Sequence, residues 1–165
     1  EHKEPLHGLL LYNSTVKVPL IIRFPDDSKP MVSQELVSQA DIVPTILDAL
    51  KIQFAEKDFE GESLLPRLKG TKTNPRSVYL EAIAGYNEFG WSPLAGLVDG
   101  NYKYIESSEP ELYDLAQDPY ELKNIAAENK PKTESMRKDL FAYIEKRRSF
   151  LKPKVGQGAN PKDKV

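Results

Sequence analysis

The chain has 165 residues, with 23 lysines and arginines against 25 aspartates and glutamates, and it contains no cysteine. A formal charge of −2 offers no general attraction for nucleic acid or an anionic membrane, and the missing thiols exclude disulfides, thiolate nucleophiles and thiolate metal sites within it. The length suits one ordinary globular domain, with room for a small second layer.

The opening, Glu1 to Gly8, holds both histidines and runs directly into apolar Leu9-Leu10-Leu11-Tyr12. A domain normally begins with a disposable surface segment, so the expectation is a chain cut through a functional loop. His2 and His7, with Pro5 between them, make a poor helical metal pair, and two histidines alone do not specify a metal site. Functional imidazoles and surface histidines both remain open readings, with Glu1 and Glu4 available to orient the rings. Ser14 and Thr15 read as loop hydroxyls, since no nucleophile elbow surrounds them.

Val18 to Phe24 reads as a buried strand of a sheet covered on both faces, ended by Pro25-Asp26-Asp27. This apolar run is far too short to span a bilayer. Met31-Val32 and Leu36-Val37 are expected to add short extended pieces. Asp41 is expected to cap a helix from Ile42 to Leu50, whose Ile42, Ile46 and Leu50 would face the sheet. Ser63 is expected to cap a short helical turn through Leu64, Leu65 and Leu68, stopped by Gly70, and Thr71 to Pro75 reads as polar linker.

Arg76 to Ala82 reads as a strand. Ala84 to Pro93, with Tyr86, Asn87, Phe89 and Trp91, reads as a loop: either the wall of a cleft for an organic substrate or a connection tied down by its aromatics. Leu94 to Ile105 is a hairpin turning at Asp99-Gly100, and Glu111 to Leu115 would extend it into an antiparallel meander. Tyr102 and Tyr104 share one face while Lys103 points away from it, a pattern of sheet packing rather than of nucleic-acid stacking. Asn124-Ile125-Ala126 starts a local turn or short helix. Thr133 is expected to cap a final helix with Met136, Leu140, Phe141 and Ile144 on its apolar side, Met136 acting as core filler. From Pro153 the Lys, Gly, Pro and Asn content reads as a disordered basic tail.

Taken in order, His7-Gly8-Leu9-Leu10-Leu11-Tyr12, Val16 to Ile22, Asp41-Ile42-Val43-Pro44-Thr45-Ile46-Leu47, Gly61-Glu62-Ser63-Leu64-Leu65, Gly100 to Ile105 and Glu111 to Glu121 carry a resemblance. Across residues 1–126 they resemble the carboxy-terminal portion of sulfatases of the alkaline-phosphatase-like superfamily, with Leu112-Tyr113-Asp114-Leu115, Asp118-Pro119 and Glu121 particularly characteristic. The resemblance implies an α/β fold: the carboxy-terminal edge of the sulfatase α/β domain over residues 1–70, a small α+β subdomain with an antiparallel sheet packed by a carboxy-terminal helix over 71–150, and a basic tail over 151–165.

The resemblance also implies a parent enzyme that hydrolyses sulfate esters, with a formylglycine nucleophile and calcium or another divalent metal held upstream. The nucleophile motif and the Asp-His/Asn-Gly metal motif are absent here, so the fragment is expected to be inactive without its amino-terminal catalytic portion, with no cofactor or metal ligand of its own. By resemblance, His7 lies near the position facing the sulfate and His2 supports the neighbouring metal loop. Glu81, Tyr86, Asn87 and Trp91 fall where relatives border the substrate, a small-molecule or glycan sulfate ester in the parent, and Lys17 matches a usually basic position whose reading is either a structural salt bridge or a substrate contact. Leu112 to Leu115 is assigned to folding. A phosphonate or phosphate ester hydrolase of the same superfamily and a noncatalytic binding module are the alternatives. No nucleic-acid partner and no transmembrane segment are expected. The compartment is open, with a periplasmic or secreted parent as the expectation.

Overall fold

A computed structural model describes residues 2, 7–24, 30–71 and 75–151, with the side chains of 149–151 not described. Its centre is a four-stranded antiparallel meander in the order β1 (Ser77–Ala82), β2 (Leu94–Asp99), β3 (Tyr102–Glu106) and β4 (Glu111–Asp114). The alternation along each strand sorts side chains onto two faces, and both faces are covered.

One face carries Tyr79, Leu97, Tyr104 and Leu112, which stand side by side in the register of the ladder. Helix α5 (Lys130–Leu151) lies across this face over β2 and β3, and its Met136 and Leu140 complete a fully buried cluster with Leu97, Tyr104 and Leu112. Burying each such side chain contributes about 2 kcal/mol. At the edge of the contact the Tyr79 and Tyr143 rings stack at 4.9 Å, and Arg147 bridges Glu81 at 3.0 Å and Glu60 at 2.9 Å.

The opposite face carries Leu80, Ala82, Ile105 and Tyr113, on which Leu11 is buried. Leu11 presses against β2 where Gly96 leaves room: a Cβ at Gly96 would come within 2.9 Å of the Tyr104 carbonyl and 3.3 Å of Leu11. The short helix α1 (Asn13–Val16) follows. The remaining elements are α2 (Ile42–Ala49), α3 (Leu65–Leu68) and α4 (Ala84–Phe89). Among the described residues no helix is long and apolar enough to cross a membrane.

Several expectations need correction. Residues 18–24 carry no regular secondary structure and join no ladder, and Ile21 is 90% exposed; a segment becomes a strand only where another backbone offers its N–H and C=O groups. The Pro25 to Asp27 stop lies outside the described residues. Met31-Val32 and Leu36-Val37 form no strand either. The face of α2 expected to meet the sheet, Ile42, Ile46 and Leu50, is exposed and lines an open apolar groove of about 380 Å³ with residues 20–24, while Pro44 and Thr45 are the buried positions.

Asp41 does not cap α2 through its side chain. Ser38 starts the preceding 3₁₀ turn (Gln39–Asp41) in a reciprocal capping box, and the Asp41 carboxylate is directed to Ser38, Glu62 and Arg76 instead. The hairpin turns at Gly100-Asn101, since Asp99 still pairs with Tyr102; Gly100 at φ +56 takes the position that needs left-handed backbone. The final helix begins before Thr133: the Asn129 side chain accepts the Lys132 N–H, and the Thr133 hydroxyl donates back to Ala126 and Asn129 carbonyls. Phe141 is exposed beneath Arg137 rather than in the core, because Met136, Leu140 and Ile144 already fill the stripe facing the sheet. The loop after β1 contains α4, closed by Gly90 at φ +70. Ser63 does accept the Leu65 N–H at 3.2 Å. Beyond Leu151 the expected basic tail lies outside the described residues, as do residues 72–74 of the linker.

Candidate functional site

Residues 7–16 form a strap over the face of the sheet opposite α5. A Cβ placed on Gly8 would lie 3.6 Å from Ala84 Cβ, so the strap starts beside the first residue of α4. It then crosses Gly96 at Leu11 and ends at Tyr12 and Asn13, against β3, β4 and the turn that follows them.

Three polar contacts fix that far end. The Tyr12 hydroxyl donates to Glu111 at 2.8 Å, and Tyr113 donates to the same carboxylate oxygen. The Asn13 N–H donates to Glu121 at 2.6 Å. Lys103, fully buried, pairs with Glu121 at 2.7 Å and donates to the Asn13 side chain at 3.1 Å. Burial pushes the Tyr12 phenol up to about 12, helped by the adjacent Glu111, and raises Tyr113 for the same two reasons. Burial also pushes the Lys103 ammonium below the usual lysine range, an effect that Glu121 opposes.

His2 lies at the same end. Its ring stacks on Tyr12 at 3.6 Å, and its Nε2 lies 3.0 Å from the Tyr120 carbonyl, an acceptor, so Nε2 carries the proton in that contact. Glu1 and Glu4 lie outside the described residues. His7 is exposed at the Gly8 end of the strap. His2 is thus held by Tyr12 and Tyr120, while the strap at Gly8 runs beside the start of α4.

On α4 and just beyond it, Tyr86 and Trp91 are 57% and 55% exposed, Asn87 is exposed, and Phe89 lies 5.0 Å from Trp91 at a tilt. Trp91 sits over Gly85, where a Cβ would be 3.0 Å from its ring. Glu81 belongs to the other side of the sheet: it accepts the Tyr79 hydroxyl at 3.1 Å and pairs with Arg147. Lys17 is exposed after α1, and its backbone N–H donates to the Asn13 carbonyl at 3.1 Å. Among the described residues no group of three or more His, Cys, Asp or Glu could hold a metal ion.

Sequence reasoning missed Asn13, Lys103, Glu111 and Glu121. A signal was present for Lys103: it shares a face with Ile105 and, across the ladder, with Val98 and Tyr113, so a lysine there has no route to water unless that face is open. Glu121 was marked only as the last residue of the Leu-Tyr-Asp-Leu…Asp-Pro…Glu signature, and nothing near it in the chain pointed to a partner on β3.

The family described as N-sulphoglucosamine sulphohydrolase, C-terminal, matches residues 7–149. The chain belongs to this family. Arylsulfatase K of Rattus norvegicus is 31% identical over 156 residues, covering 87% of this chain and 27% of the relative. The ulvan-active sulfatase of Formosa agariphila is 27% identical over 172 residues, covering 82% of this chain and 34% of the relative. Among solved structures, the phosphonate monoester hydrolase of Agrobacterium radiobacter is 27% identical with a TM-score of 0.53, covering 69% of this chain and 26% of that one. The sulfatase C-terminal chain thus spans about a third or less of these relatives. Having no cysteine, it holds no cysteine-derived formylglycine.

Proposed function

We propose that this chain is one wall of the active site of a sulfatase, whose nucleophile and divalent cation are supplied by the remainder of the polypeptide, and that the whole enzyme hydrolyses a sulfate ester to an alcohol and sulfate. The observation that carries this reading is the approach of Gly8 to Ala84, which brings the His7 backbone to the start of α4, with Tyr86, Asn87 and Trp91 exposed along and just after that helix.

In this reading a protonated His7 imidazole stabilises the charge that develops on the sulfate oxygens or donates to the departing alcohol. Tyr86, Asn87 and Trp91 contact the organic part of the ester, where aromatic faces and one amide supply orientation. His2 holds the far end of the strap through Tyr12 and Tyr120. Lys17 is assigned to the substrate border, whereas Glu81, engaged by Tyr79 and Arg147 on the α5 side of the sheet, is given no contact with the ester. A formylglycine and a calcium ion are assigned to the polypeptide upstream.

A phosphonate or phosphate ester hydrolase is the second reading, supported by the 27% identity to the Agrobacterium enzyme. The deciding experiment assays the full-length protein on a sulfate ester and a phosphonate monoester sharing one leaving group. The sulfate ester is expected to turn over faster, with kcat falling about a hundredfold in His7→Ala. Faster phosphonate turnover would transfer the assignment to the second reading, and no turnover of either would favour a noncatalytic module.

A further inference from the structure

We propose that Glu121 and Lys103 are positioning residues: their buried ion pair grips both the N–H and the side chain of Asn13 and so fixes the strap that carries His7. The proposal rests on the reading of His7 as the residue facing the ester.

An ion pair with side chains 0% and 1% exposed is an expensive way to cover a sheet, since an apolar pair of the same shape does that at least as well. What an apolar pair does not provide is the two-point grip. Glu121 accepts the Asn13 N–H through Oε2 and meets Lys103 through Oε1, while Lys103 donates to Asn13 Oδ1. Two contacts of opposite sense on one residue fix its orientation as well as its distance. Glu121 is held in turn at φ +58, backbone that a side chain rarely adopts, by the turn in which its N–H donates to Asp118 O and the Asp118 carboxylate accepts the Lys123 N–H. The Asp118-Pro119-Tyr120-Glu121 motif therefore aims a carboxylate at the strap.

The strap is short and its course is fixed between its ends. From Asn13 it passes Tyr12 on Glu111 and Leu11 over Gly96 to Gly8 beside Ala84. Slack at Asn13 is carried along this segment to His7, and a displacement near 1 Å at a reacting group costs about a hundredfold in rate.

Asn13→Pro is the selective test. Asn13 is the first residue of α1, where a fixed φ and a missing N–H are tolerated, and Tyr12 at φ −76 and ψ 155 already has the geometry that must precede proline. The variant removes both grips and keeps both members of the Lys103–Glu121 pair, although the ring Cδ displaces the Glu121 oxygen that had accepted the Asn13 N–H. In the chain itself, the Thr15, Val16 and Lys17 amides, which donate to the Tyr12 and Asn13 carbonyls, are expected to exchange with deuterium about tenfold faster, while the Tyr104 ladder amide keeps its protection. Wild-type exchange at those three amides would overturn the proposal. Asn13→Ala removes only the Lys103 contact and gives the same pattern at smaller amplitude.

In the full-length enzyme, Asn13→Pro is expected to lower kcat for a sulfate ester about tenfold or more with KM nearly unchanged, and to cause no further loss in a His7→Ala background. A wild-type kcat despite faster exchange, or an equal loss with and without His7, would overturn positioning. A His7→Ala enzyme with wild-type kcat would defeat the reading of His7 and positioning with it, whatever the exchange data give.

Discussion

Asp41 is a joint rather than a cap, and its removal should be costly. Its carboxylate is fully buried and takes the Arg76 guanidinium through both oxygens, one contact at 2.9 Å, together with the Ser38 N–H at 2.7 Å and the Glu62 N–H at 3.0 Å. It thereby ties the loop before α2 and the segment before α3 to the residue preceding β1. Removing one partner of a buried pair costs about 3–5 kcal/mol, and two stranded amides keep Asp41→Ala in the upper half of that range. A loss of about 4 kcal/mol is a large share of the 5–15 kcal/mol typical of a domain. In urea, at a slope of about 2 kcal/mol per M, it moves the unfolding midpoint by about 2 M. Adding Arg76→Met should recover part of the loss, because neither charge is then left alone. Burial would raise the Asp41 pKa, but the Arg76 guanidinium and the two amides outweigh it and hold the carboxyl below its ordinary value. Its stabilisation is therefore complete above the unfolded-state pKa of about 3.9 and is lost as pH falls through the lower folded-state value, so wild type and Asp41→Asn should converge in strongly acidic urea titrations. A loss under about 1 kcal/mol at neutral pH would refute the reasoning, since it would mean that Arg76 and the amides are satisfied by water.

Three further outcomes follow from the packing. Leu140→Ala should cost about 3 kcal/mol by urea unfolding, because its side chain is fully buried among Leu97, Tyr104 and Leu112. Gly61→Ala should lower Tm by about 5 °C, since any Cβ there collides with the Ala40 carbonyl and the Asp41 N–H, the contact that lets Glu62 reach Asp41. Burial first, and Glu81 second, push the Tyr79 phenol up to about 12; its contribution is present below pH ~10 and lost as pH rises through the folded-state value, so Tyr79→Phe should remove one late phase from the phenolate absorbance titration.

The meander and its helix were legible because their signals are local. Alternation in Tyr102 to Glu106, glycine at the turn and the spacing of Met136, Leu140 and Ile144 each depend on neighbours within one element or hairpin. The Gly61-Glu62-Ser63-Leu64 motif was legible as a pattern, and its physics is a close approach: Gly61 against Ala40, Glu62 N–H on Asp41, Leu64 N–H on Thr45. Val18 to Phe24 and the Ile42, Ile46 and Leu50 stripe misled because apolar content reports that burial is intended, not which chain segment supplies the cover. α4 was obscured by Gly85 and Gly90, which read as loop residues although the first makes room for Trp91 and the second closes the helix. Of the candidate site, the sequence offered positions, and the structure brings Gly8, next to His7 in the chain, beside the first residue of α4. The site's supports were not legible, because Lys103, Glu121 and Asn13 meet only when the strap, a strand and a turn are assembled.

The measurement that tests the central claim most directly compares this chain alone with the full-length protein on one sulfate ester. Turnover by the full-length protein and none above the uncatalysed rate by the chain is the predicted result. Sustained turnover by the chain without any complementing polypeptide would contradict it, since the attacking group and the cation would then have to reside among these 165 residues.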